Sequence, residues 1–266
     1  MSTVTALSAA LHFDHELAAD PAPFAVLVRA LFGERSSDGA FRQFFVWADG
    51  RKPRPPASLE LARLLELVRS GQAWLTAVET EPGTPADLEM RVAAGTTPHD
   101  KPARSVTRCR YNFDAVFGAA RLDELGARRV LDLVVAFGDA VAARAGVVHW
   151  AAPTIYAACL ASCGGSSQLT PAQSGHIQDL MYWQPRWGDV IRGPQWGTFL
   201  GAAHVATLGG IARIEREAPC ARVVALGSGG AFLEATPIDR PLFEDRGDPA
   251  PLAELARFLA PVMGTR

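Results

Sequence analysis

Arg222-Val-Val-Ala-Leu-Gly-Ser-Gly-Gly-Ala-Phe-Leu-Glu-Ala235 decides the fold class. Two apolar runs, 222–226 and 231–235, flank Gly227-Ser-Gly-Gly230, and a glycine-rich break between strand-like runs reads as a hairpin. A phosphate-binding loop would need Gly-Lys-Ser/Thr before a helix. A nucleophile elbow would need G-x-S-x-G between strand and helix. Here a strand follows, so the glycines serve a turn.

The same logic extends outward. Ala73–Glu79 and Leu88–Ala94 form a second predicted hairpin around Pro82-Gly83-Thr-Pro85. Phe41–Trp47, Val106–Phe113, Val147–Trp150 and, more weakly, Thr5–Phe13 also read as strands. Apolar stripes at three- and four-residue spacing predict helices. They start at Asp20-Pro21 (with Phe24, Leu27, Val28 and Leu31 inward), at Ser58, at Leu122 running unbroken to Arg144, at Ile155, at Thr170-Pro171, at Gly201, at Ile211 and at Asp248-Pro249. Thr170 and Gln173 have capping-box spacing. Strands in hairpins separated by helices, without regular βαβ alternation, predict an α+β fold. The expected architecture is an antiparallel sheet built of hairpins with helices packed on it, a single domain over residues 1–266.

Composition narrows the function classes. The chain has 266 residues, 48% hydrophobic, and a net charge of -2, so it can bury a sizeable core and is not a disordered segment. Lys52 and Lys101 are the only lysines, and arginines alternate with acids, so no nucleic-acid footprint is present. The four cysteines are too sparse for a disulfide scaffold. The first cationic side chain is Arg29, so no signal peptide is expected, and no apolar run is long enough to span a membrane. A cytoplasmic protein is expected.

A search for chemistry ends without a motif. His12-Phe-Asp-His15 resembles a ligand pair, but on a strand the two histidines would face opposite sides and no third ligand follows. Cys159 and Cys163 would share a helix face as small buried hydrophobes. Glu79, Glu81, Asp87 and Glu89 surround a predicted hairpin turn and read as a solvated edge. Gly50–Pro56 is a stiff basic loop, a connector or a protruding contact. The expectation is therefore no catalytic residue, no metal and no cofactor. The alternative is a hydrolase of unrecognised type using a serine or cysteine with His149, His176 or His204.

The last third carries a resemblance. Trp196-Gly-Thr-Phe-Leu200, Leu208-Gly-Gly210, Val223-Val-Ala-Leu-Gly-Ser-Gly229, Leu233-Glu-Ala235 and Leu255-Ala-Arg-Phe-Leu-Ala-Pro261 follow in order. This series is similar to the type VI secretion immunity proteins, long described as a domain of unknown function. The likeness is specific over 196–261 and looser upstream. The segment Thr236–Phe243 departs from the family, which has more glycine there. The resemblance implies an antidote that binds a cognate effector toxin, encoded beside it and of nuclease type, without touching nucleic acid or membrane itself. It also implies that Trp196, Phe199, Leu200, Gly209 and Gly210 are core and turn positions.

Two segments are candidate partner contacts. A nuclease presents a basic groove, so acids favour its capture, and Asp239, Glu244 and Asp245 supply them. Aromatic and arginine anchors carry binding energy, and Trp183, Arg186 and Trp187 sit in one proline-containing loop. The acids also fit a solvated loop, and the tryptophans also fit a core.

Overall fold

A computed structural model describes residues 6–17, 19–32, 43–47, 74–79, 88–94, 111–151, 154–162, 166–181, 189–243 and 249–264. Nine strands form one sheet: β1 (Ala6–Phe13), β2 (Gln43–Trp47), β3 (Trp74–Glu79), β4 (Leu88–Ala94), β5 (Tyr111–Phe117), β6 (Ala145–Ala151), β7 (Gly197–Leu200), β8 (Arg222–Ala225) and β9 (Ala231–Glu234). Their order is β2-β3-β4-β5-β1-β6-β7-β9-β8. Every neighbouring pair is antiparallel. The helices are α1 (Ala22–Phe32), α2 (Ala119–Leu125), α3 (Ala127–Ala140), α4 (Thr154–Ser162), α5 (Pro171–Met181), α6 (Ala202–Thr207), α7 (Ile211–Glu217) and α8 (Pro249–Leu259). This is the expected α+β, hairpin-built, antiparallel architecture.

The central strand β1 is buried along its whole length. Leu7, Leu11 and Phe13 enter the main core with Phe24, Leu27 and Val28 of α1 and Val130, Val134 and Phe137 of α3. Ala6 belongs to a second cluster with Tyr156, Ala157 and Leu160 of α4. Cover on both faces removes the apolar–polar alternation of a half-exposed strand, which is why this strand is faint in the sequence. The main core is rich in aromatics: Phe199 and Phe232 meet at 4.6 Å, and Phe113 and Phe137 at 4.9 Å. Each such fully buried side chain stabilises the fold by about 1.5–3 kcal/mol.

Local signals are realised where they were clearest. Thr170 N–H donates to Gln173 Oε1 at 2.9 Å and Gln173 N–H to Thr170 Oγ1 at 3.3 Å, a complete capping box at the start of α5. The hairpins β3–β4 and β8–β9 form as read.

Two expectations need correction. The strand expected over Val106–Phe113 runs on to Phe117, and its first residues, 106–110, lie outside the described residues. The single helix from Leu122 to Arg144 is two helices, and the second ends at Ala140. The break falls at Gly126, whose φ of 83° no helix accommodates. Gly197–Leu200, for which the sequence carries no clear element, is β7, paired with β6 on one side and β9 on the other. The expected helix at 58–71 and the basic loop at 50–56 lie outside the described residues.

Candidate functional site

Residues 236–243 leave the last hairpin on a path pinned at both ends. Trp196 is fully buried, and its Nε1–H donates to Thr236 Oγ1 at 3.1 Å. That hydroxyl donates to the Arg240 carbonyl at 2.8 Å, and Arg240 N–H closes a turn on Pro237 O at 2.9 Å. Beyond the turn Leu242 is buried, and Phe243 forms a bridge with Trp150 whose rings lie 6.5 Å apart. Trp150 in turn stacks edge-on against Trp196 at 5.7 Å. Asp239 and Arg240 are the exposed apex between these anchors. Glu244 and Asp245, the other two candidate acids, lie outside the described residues, as do Trp183, Arg186 and Trp187. Of the six candidate contacts, Asp239 is the one among the described residues.

The Asp189 carboxylate accepts from Arg144 at 3.1 Å while Arg144 also holds Asp14 at 2.7 Å. Ile191 N–H then donates to Val262 O and Gly264 N–H to Ile191 O, tying this segment to the C-terminal end.

Sequence reading missed a buried ion cluster. Glu234 is 1% exposed on β9. It accepts hydrogen bonds from both terminal nitrogens of Arg128 on α3, one of them at 2.9 Å, and from Arg222 on β8 at 2.7 Å. Arg222 also reaches Asp132 at 3.3 Å. The hydrogen bond to Glu234, opposed by burial, raises the Arg128 pKa. The cluster bolts α3 to the terminal hairpin. Its signal was an acid inside the apolar run Ala231–Ala235, where a carboxylate needs a partner.

The histidines of the hydrolase alternative are scattered. His149 lies on β6, directly opposite Ser8 of β1, and both are fully buried. His176 is on α5 and His204 on α6. A cleft beside α4 is lined by His12, His149, Arg192, Gln195 and Thr198, and its described lining includes no serine or cysteine. Burial lowers His12 to about 3, so its ring is neutral. Burial also lowers His204, whose Nδ1 accepts the Gly201 N–H at 3.3 Å. His15 lies beyond the end of β1, and its Nε2 hydrogen-bonds the Asp20 carbonyl at 3.0 Å. Among the described residues no three His, Cys, Asp or Glu converge as metal ligands. Cys220 is half-buried, and burial pushes its thiol upward, away from the thiolate that a nucleophile requires. Cys159 is buried as a small hydrophobe, and Cys163 lies outside the described residues.

Residues of the family-like segment occupy core and turn positions. Trp196, Phe199 and Leu200 are fully buried, and Gly209 and Gly210 take φ near 90°. No helix among the described residues is long and apolar enough to cross a membrane.

No protein-family model matches the chain. No curated protein matches it either. Among solved structures, the fold is similar to that of the Pseudomonas aeruginosa T6SS protein PA0821, with a TM-score of 0.63 and 12% identity. The likeness covers 98% of this chain and 74% of that one. At this identity it is a likeness of fold.

Proposed function

We propose that this chain is an immunity protein of type VI secretion, binding a cognate effector toxin of nuclease type and holding it inactive in the cytoplasm of the producing cell and its siblings. The observation that carries the reading is the fold shared with a T6SS protein along nearly the whole chain. The residues that resemble the immunity family support it, because Trp196–Leu200 and the 222–235 hairpin lie together in one continuous stretch of that fold, β7-β9-β8. In this reading the chain works by binding rather than by catalysis and needs no cofactor. Asp239 on its pinned turn, with Glu244 and Asp245 following in sequence, supplies acidic contacts, and Trp183, Arg186 and Trp187 supply anchors.

Co-expression with the product of the adjacent gene tests the reading. Rescue of growth, a stable complex in a pull-down and loss of nuclease activity near equal amounts are expected. Asp239→Lys should slow association and weaken its salt dependence, since exposed charges act mainly on encounter rates. A toxin that still kills and does not co-purify would sink the reading.

A further inference from the structure

We draw no further inference here: the strongest candidate, the surface hollow between the turn after α3 and the start of α6, walled by Ala142, Ala202 and Ala203 beside Arg144 and Ser228, is a concavity of small residues, and nothing in the structure shows what covers it.

Discussion

The side chain of Asp139 accepts the backbone N–H of Ser228, 89 residues further along the chain, at 2.8 Å. Its other oxygen accepts the N–H of Gly227 at 3.0 Å. The glycine-rich turn that resembles an anion loop thus closes around a carboxylate of its own protein, at the last turn of α3. Burial works to raise the Asp139 pKa, but the donors from Ser228 and Gly227 outweigh it and hold the carboxyl below its usual value.

Asp139→Ala removes the acceptor for both amides. Hydrogen bonds to a charged group contribute about 1.5–3 kcal/mol, and partial exposure of this site puts the loss near the lower bound. Urea unfolding should report a lower midpoint at unchanged slope. The depressed carboxyl also makes this stabilisation complete above the unfolded pKa of about 3.9 and lost as pH falls through the folded value. An Asp139→Asn variant should therefore lose part of the acid sensitivity.

Glu234→Gln leaves Arg128 and Arg222 facing an amide in place of their shared carboxylate. Breaking a buried ion pair from one side costs about 3–5 kcal/mol. Both guanidiniums are about 40% exposed and can turn to water, so the expected loss is nearer about 2–3 kcal/mol. Arg222→Ala should cost less, because Arg128 still holds Glu234 through two hydrogen bonds. Equal losses in the two variants would contradict this ranking.

His12 gives the fold a pH dependence. Its folded pKa of about 3 lies below the ordinary 6.5 because burial disfavours the charged ring. The unfolded chain binds this proton more readily, so the contribution is complete above pH 6.5 and declines as pH falls toward 3. Melting temperature should drop over that interval, and His12→Gln should flatten the drop.

Two backbone positions predict opposite signs. Ala142 follows α3 with φ of 48°, a left-handed conformation that costs an L-residue about 1–2 kcal/mol. Ala142→Gly should stabilise by about 0.5–1 kcal/mol after the added unfolded-state entropy of glycine. Gly201→Ala should destabilise, because its Cβ would come within 2.6 Å of the Arg144 carbonyl oxygen, a backbone atom that cannot step aside. Thermal unfolding of the pair separates the two effects.

Local chemistry alone determined the elements whose causes lie within a few residues. The capping box of Thr170 and Gln173, the turn at Gly227–Gly230, the proline start of α8 and the amphipathic stripe of α3 were all legible. So was the α+β, antiparallel class, which follows from hairpins alternating with helices. Tertiary structure decided what depends on partners far away in sequence. β7 has four residues and little strand signal of its own, yet it is held by ladders to β6 and β9. β1 became the centre of the sheet because helices cover both of its faces, and that same cover erased its alternation. Of the candidate contacts, Asp239 was legible as an exposed acid. The turn that carries it depends on Thr236, Trp196 and Trp150, which meet only after the sheet has assembled. Glu234 and Asp139 were legible as acids but not as partners of Arg128 and Ser228. Hydrogen bonds across 106 and 89 residues exist only when the sheet and α3 close the long loops between them.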